Sequence, residues 1–279
     1  MTNNPETLAR LKDLLSYRGH SKQYQVVPDF IQKKIDGNEV NYESIQLAWD
    51  EPRYNWIKSV LPESIVSEVE LGASLGYFSL RLAHDFGCTA TGFEPVEVYA
   101  EAANLFAEIG ELGDQVRFIG HGVTLDTIED MPDADLLVTL NVLHHAGNVF
   151  DAQKVAEVGN WRSYAVEYLS RMAAKYPHMI FQTGNSVKGV AHFPGREAVP
   201  FMRDVLKEAG YGVEALGLIT DLDSISYKTF GPDQIDDAPV IWCQRNLDTG
   251  EVDYYRNDKV VKSLPYGTLQ RPLFYCCRR

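Results

Sequence analysis

Apolar positions along this chain fall into two alternating rhythms. From residue 66 onward, short apolar runs at 66–71, 89–93, 116–119, 135–142 and 179–183 have the length of strands. Between them lie segments of helical period, one ending near 86 and others at 98–109, 151–175 and 196–209, the last stopped by Gly210. That alternation predicts βα units around a mainly parallel sheet. The run Leu136-Leu137-Val138-Thr139-Leu140 is almost continuously apolar, as a strand covered on both faces requires. Toward the C-terminus, 240–246 and 273–277 read as strands joined by a polar stretch, with Asp248-Thr249-Gly250-Glu251 as a turn. They predict a closing pair of strands. Before residue 66 come three helices, at 5–15, 28–35 and 52–60, interleaved with polar and aromatic sequence that includes Tyr17, Tyr24, Tyr42 and Trp49. So short a stretch has little core of its own. Residues 1–63 are therefore expected to pack as a helical cap or lid on a domain spanning 64–279.

Composition narrows the classes. The chain is 45% hydrophobic and 23% charged, ordinary for a globular protein, and no apolar run approaches membrane-spanning length. Residues 1–7 lack a basic segment followed by an apolar one, so no secretory signal is expected. Cys88, Cys243, Cys276 and Cys277 form no C-x-x-C pair, which disfavours a zinc knuckle or a disulfide framework and fits a reducing cytoplasm. The seven histidines have no metal-ligand spacing, so no metal is expected. A formal charge of -13 sets an adverse field for any phosphate-rich partner. Nucleic acid is not expected; the expected partners are a small-molecule acceptor and at most a second copy of the chain.

The chemistry concentrates at residues 68–79. Glu70-Leu71-Gly72-Ala73-Ser74-Leu75-Gly76-Tyr77 reads as a strand running into a glycine loop and then a helix, with the spacing acid-x-Gly-x-x-x-Gly. Dinucleotide folds use Gly-x-Gly-x-x-Gly to bring backbone against a pyrophosphate; a leading carboxylate suits an ammonium group instead. Glu94 closes the next strand 24 residues later, where Rossmann-like folds place an acid on ribose hydroxyls, and Pro95 fixes the turn after it. Asp135 opens the fourth strand, which ends in Asn141-Val142-Leu143-His144-His145.

Together these residues resemble the class I, Rossmann-like S-adenosyl-L-methionine (SAM)-dependent methyltransferases. The resemblance covers about residues 64–185, and the order of elements carries it to the C-terminus. It implies a seven-stranded, mainly parallel sheet whose last strand runs antiparallel, with helices on both faces. It also implies SAM as cofactor and S-adenosyl-L-homocysteine (SAH) as product. Glu70 would then sit near the methionine ammonium, with Gly72, Ala73, Gly76 and Tyr77 forming the loop. Glu94 and Pro95 would hold the ribose. The third strand lacks the family's adenine-binding acid, so the backbone of Gly122 and Val123 takes that place, with Asp126 as a displaced alternative. Asn141 and Val142 would lie beside the transferred methyl. Either His144 or His145 is a candidate base for an oxygen or nitrogen acceptor, the other capping the next helix or packing in the loop.

Two further segments are candidates for acceptor binding. Gln182, Asn185 and Lys188 follow the fifth strand, with His192 and Arg196 beyond. Arg18, His20 and Tyr24 form a cationic and aromatic cluster suited to an anionic or sugar-like group. The stretch His-Ser-x-x-Tyr-Gln-x-x-Pro, with Gln-x-Gly-Asn-x-x-Lys-Gly, is similar to methyltransferases of sugar and natural-product tailoring. The competing readings are a tRNA-modifying carboxymethyl or methyl transferase, a non-catalytic SAM-binding protein of the same fold, and a nicotinamide oxidoreductase. The missing Gly-x-Gly-x-x-Gly counts against the last.

Overall fold

The computed structural model describes residues 5–16, 25–35, 50–188, 190–264 and 271–279. Along them run α1 (Pro5–Leu15), α2 (Asp29–Ile35), α3 (Asp50–Val60), β1 (Ser67–Leu71), α4 (Tyr77–Phe86), β2 (Thr89–Phe93), α5 (Glu97–Gly110), β3 (Val116–Ile119) and β4 (Leu136–Leu140). Then follow α6 (Ala152–Glu157), α7 (Trp161–Lys175), β5 (His178–Gln182), β6 (Ser186–Val187), β7 (Val190–Ala191), α8 (Ala198–Glu208), β8 (Tyr211–Ile219) and β9 (Tyr227–Phe230). The chain closes with β10 (Trp242–Arg245), β11 (Val252–Arg256), β12 (Lys259–Leu264) and β13 (Leu273–Arg278). It divides into two compact units. The first comprises Met1–Tyr54, Pro62–Val123 and Ala134–Val138; the second comprises Asn55–Leu61, Thr124–Asp133 and Thr139–Arg279.

In the first unit the strand order is β3-β2-β1-β4. β1 pairs parallel with β2 from Ser67↔Thr89 to Leu71↔Phe93, and β2 with β3 from Ala90↔Val116 to Phe93↔Ile119. The start of β1 is pinned by Asp135, whose Oδ2 accepts from Val66 N–H, Ser67 N–H and the Ser67 hydroxyl at 2.9–3.0 Å. On β3, Asn104 of α5 brackets Phe118, accepting from its N–H and donating to its carbonyl, both at 2.8 Å. This occupies strand groups that would otherwise lack a partner. The apolar face of α5 (Ala102, Ala103, Phe106, Ile109) joins one buried cluster with Leu8, Leu11 and Leu15 of α1 and Ile31 and Ile35 of α2. Burying each such leucine or isoleucine contributes about 1.5–3 kcal/mol, which anchors the N-terminal helices to α5.

In the second unit the order is β5-β13-β8-β9. β13 runs antiparallel to β5 (Phe274↔Phe181 to Cys277↔His178) and to β8 (Leu273↔Gly217 to Arg278↔Tyr211). Trp56 lies flat against Gly217, where a Cβ would come within 2.5 Å of the indole, and its Nε1 donates to the Thr229 hydroxyl at 3.1 Å. β10, β11 and β12 form a small antiparallel sheet, and β6 and β7 a short hairpin.

The fold class is the predicted one: α/β and Rossmann-like, with a mainly parallel sheet and an antiparallel last strand. The C-terminal details differ. The strand predicted at 240–246 is not the partner of 273–277; β10 pairs with β11, and the predicted turn at 248–251 links those two. The partners of β13 are β5 and β8, the latter a nine-residue strand directly after Gly210. β9 is an eighth strand beyond the expected seven. The predicted helix at 151–175 is broken at Val158-Gly159-Asn160: Gly159 has φ 93, and the Asn160 side chain caps α7 by accepting from Ser163 N–H at 2.9 Å. Among the described residues no helix is long and apolar enough to cross a membrane.

Candidate functional site

The glycine loop of the first unit is held from beneath. Gly72 N–H and Ala73 N–H both donate to the Phe93 carbonyl, at 2.8 and 3.1 Å. Gly72, Ser74 and Gly76 have φ of 67, 51 and 82, so the backbone turns through the left-handed region three times within five residues. A Cβ at Gly76 would lie 2.3 Å from the Phe118 ring, and one at Gly92 only 2.4 Å from it; only glycine fits at either place. The strained Ser74 is tied down by Glu94. This carboxylate, buried at the end of β2, accepts from Ser74 N–H (2.8 Å) and from Val96 N–H (2.9 Å) at the start of α5. A carboxylate accepts hydrogen bonds from several directions, and a cis-diol fits its chemistry. Pro95 follows, with Gly122 packed against it closely enough that a Cβ would lie 3.3 Å from the Pro95 ring; Val123 is buried beside it in sequence. Asp126 belongs to the second unit and is committed to an exposed ion pair with Lys154 at 3.0 Å.

Glu70 sits deeper than its predicted role requires. It is 1% exposed, and its Oε2 accepts from the Ser79 hydroxyl (2.7 Å) and Ser79 N–H (3.1 Å) inside the first turns of α4. Glu68, two residues back on β1, is equally buried, and neither of its oxygens has a hydrogen-bond partner. Burial pushes both carboxyls well above the usual carboxylate range; the charge of Glu70 adds to this at Glu68, and Ser79 opposes it at both. Such groups fold protonated. The unfolded chain, ionised above its ordinary carboxyl pKa of about 4.3, binds fewer protons, so their contribution is full below that pKa and is lost as pH rises from there through the raised folded value. Glu68→Gln, which removes one of these protonations, should raise Tm at pH 8 by about 2–4 °C per kcal/mol gained and flatten its fall between pH 5 and 8. Scanning calorimetry at several pH values checks this; a lower Tm at pH 8 would mean that the Glu68 charge is compensated.

Tyr77 is likewise buried. Its ring meets Tyr54 edge-on (6.4 Å), and the Arg81 guanidinium lies over Tyr54 at 4.3 Å and donates to the Tyr77 hydroxyl at 3.3 Å. Its amide points to Gln25, which the sequence placed in the His-Ser-x-x-Tyr-Gln-x-x-Pro stretch but not at the glycine loop. Gln25 Oε1 accepts from both Leu75 N–H (3.0 Å) and Tyr77 N–H (3.1 Å), capping α4, which has no local side-chain cap. The next residue is fixed too, since Val26 N–H donates to the buried Asp50 carboxylate at 3.2 Å. Gln25→Ala should speed hydrogen exchange of the Leu75 and Tyr77 amides by about tenfold or more and cost about 1–3 kcal/mol; unchanged exchange would remove the capping role.

In the second unit the end of β4 gathers the polar side chains. Asn141, at φ 64, donates its backbone N–H to the Gln182 carbonyl at 2.7 Å and its Nδ2 to Gln182 Oε1 at 3.0 Å. Its Oδ1 accepts from Arg271 at 2.5 Å, and Gln182 Nε2 donates to the Arg271 carbonyl at 2.8 Å. Gln182, expected to meet an acceptor, is fully buried; its amide is spent on Asn141 and Arg271. Val142 is half-buried next in the chain. His144 is buried, and its Nδ1 accepts from Gly184 N–H at 3.3 Å while its carbonyl meets His192 Nε2 at 2.8 Å. Burial, with Arg271 and the two neighbouring histidines, pushes His144 down to about 2. The His145 ring lies 4.0 Å from that of His144; its Nδ1 is buried with no partner, and burial with Arg271 and His192 lowers its pKa. His192 stacks on Trp161 at 4.6 Å. Asn185 Nδ2 donates to the Phe193 carbonyl at 3.3 Å, Lys188 is exposed in the β6–β7 turn, and exposed Arg196 pairs with Glu197. Arg18, His20 and Tyr24 lie outside the described residues. No cluster of three or more His, Cys, Asp or Glu among the described residues could hold a metal.

Neither a family model nor a curated protein matches the chain. Solved structures do. WbdD aligns with a TM-score of 0.54 at 17% identity, over 88% of this chain and 53% of its own. The chain has the Rossmann-like methyltransferase fold. A second WbdD structure, with the kinase inhibitor LY294002, gives 0.51 at 18% over the same shares of the two chains. The N-terminal domain of EvdMO1, in the presence of SAH and D-fucose, gives 0.48 at 14% over 100% and 97%. This chain spans about half the length of the WbdD chains.

Proposed function

We propose that this protein is a SAM-dependent methyltransferase acting on an oxygen or nitrogen of a small polar acceptor. The observation that carries the reading is the pairing of a left-handed glycine loop with Glu94, which grips that loop and presents a carboxylate at the end of β2. Glu94 would hold the ribose, the backbone of Gly122 and Val123 the adenine, and the loop from Gly72 to Gly76 the amino-acid end. The cofactor supplies a methyl on a sulfonium, which leaves as a thioether when the acceptor attacks. The protein's share is to orient the nucleophile, exclude water and take a proton. Of the two histidines, His145 is the better base. The Nδ1 lone pair of His144 is committed to Gly184 and its basicity is almost abolished by burial, whereas His145 keeps an unpartnered ring nitrogen. Residues 1–63 would act as a cap, with Asn185 and Lys188 as acceptor contacts.

Calorimetric titration with SAM, SAH and NAD, side by side, tests the cofactor. Micromolar binding of the two sulfur compounds and none of NAD is the expected result; binding of NAD alone would overturn the reading.

A further inference from the structure

We propose that Arg271 is a positioning residue of the transfer site, holding the Asn141 amide in one orientation and placing a fixed cation beside His144 and His145. This rests on the reading of Asn141 and His145 given above, and it assigns work to a segment that no motif touches.

The geometry is a closed ring of three residues. Arg271 donates to Asn141 Oδ1, Asn141 Nδ2 donates to Gln182 Oε1, and Gln182 Nε2 donates back to the Arg271 carbonyl. Amides can be flipped without changing their shape, so their direction must be set by a partner that is donor only or acceptor only. Arg271 supplies both kinds: its guanidinium only donates and its carbonyl only accepts. Neither amide can turn over without setting two donors or two acceptors face to face. The Tyr227 hydroxyl also approaches Gln182 Nε2 (3.3 Å) and the Arg271 carbonyl (3.5 Å), bracing the ring from β9. Gly184 makes room for it: a Cβ there would lie 3.0 Å from His144 Cδ2 and 3.1 Å from Arg271 Cζ.

The cation has an electrostatic consequence. The charged and titratable groups acting on His145 are Arg271 and His192, with the His144 ring packed against it. Two of the three are imidazoles, so Arg271 is the fixed charge of the group. It disfavours the imidazolium and keeps His145 neutral and able to accept a proton to lower pH than burial alone would.

Arg271→Met removes both the donor and the charge, and Arg271→Lys keeps both in a different shape. NMR titration of the histidine ring signals should show the His145 midpoint rising in Arg271→Met and remaining near the parent value in Arg271→Lys. Arg271→Gln, neutral but able to donate, should show the same rise as Arg271→Met and serves if that variant unfolds. With an active acceptor in hand, kcat of Arg271→Met should fall about tenfold to a hundredfold, with KM for SAM within about twofold and the acid limb of the rate profile moved to higher pH. A folded neutral variant whose His145 midpoint equals that of the parent would overturn the proposal. The NMR arm needs neither cofactor nor turnover, so its failure is distinct from failure of the parent protein to bind SAH.

Discussion

Glu94→Ala should weaken SAH binding about a hundredfold or more. A hydrogen bond to a charged group contributes about 1.5–3 kcal/mol, and a diol bound through two of them would lose about 3–5 kcal/mol, at about 1.4 kcal/mol per tenfold. The carboxylate has a second task that adds to the effect. It holds Ser74 N–H with that residue at φ 51, a conformation a non-glycine residue adopts only under constraint. Without its acceptor the loop relaxes toward φ below zero, and the shape that Gly72 and Gly76 provide is lost. The sheet should survive, because β1 and β2 keep their full register. Calorimetry gives the affinity and circular dichroism the fold; a folded variant with parental affinity would end the ribose assignment.

The second large effect is expected at His145. General-base catalysis contributes typically 10²–10⁴-fold, so His145→Ala should cut turnover by about two to three orders of magnitude with SAH affinity within about twofold. His144→Ala should behave differently. It leaves Gly184 N–H without its acceptor and opens a cavity beside Arg271, so its main signature is a lower Tm. The pH dependence separates the two residues further. Because the folded pKa of His144 is depressed from its ordinary value near 6.5 to about 2, its stabilising contribution is complete above pH 6.5. It is lost as pH falls from there toward 2, where the unfolded chain binds the proton and the folded one does not. Removing His144 should flatten the acid side of the Tm profile. Equal turnover in the parent and both single variants would remove histidine base catalysis altogether.

What the sequence disclosed and what it hid have separate physical causes. The strands through β5 were legible because each is a short apolar run between helical periods, and the glycine loop because its spacing is local. β8 was passed over although it is nine residues long. Its sequence, Tyr-Gly-Val-Glu-Ala-Leu-Gly-Leu-Ile, is interrupted by two glycines and a glutamate and follows a helix stop. Meanwhile 240–246 offered a cleaner strand pattern that belongs to another sheet. Periodicity finds strands but not their partners. The contacts of Gln25 and Arg271 were illegible for a related reason. One caps a helix 50 residues away and the other braces an asparagine 130 residues away, and no local motif encodes either contact. Glu70 was singled out by its place before the glycine loop, but a strand pattern gives no depth, and the buried carboxyl is bound to Ser79.

One feature of the second unit bears on how the protein is made. β13, made after both of its neighbours, lies between β5 and β8 and pairs with both. Until β13 is made and inserted, β5 and β8 each present an unpaired edge, and such edges are the hazard that leads nascent chains to aggregate. This sheet cannot close in chain order, and in a cell the yield of folded protein depends on how well those two edges are shielded until β13 arrives.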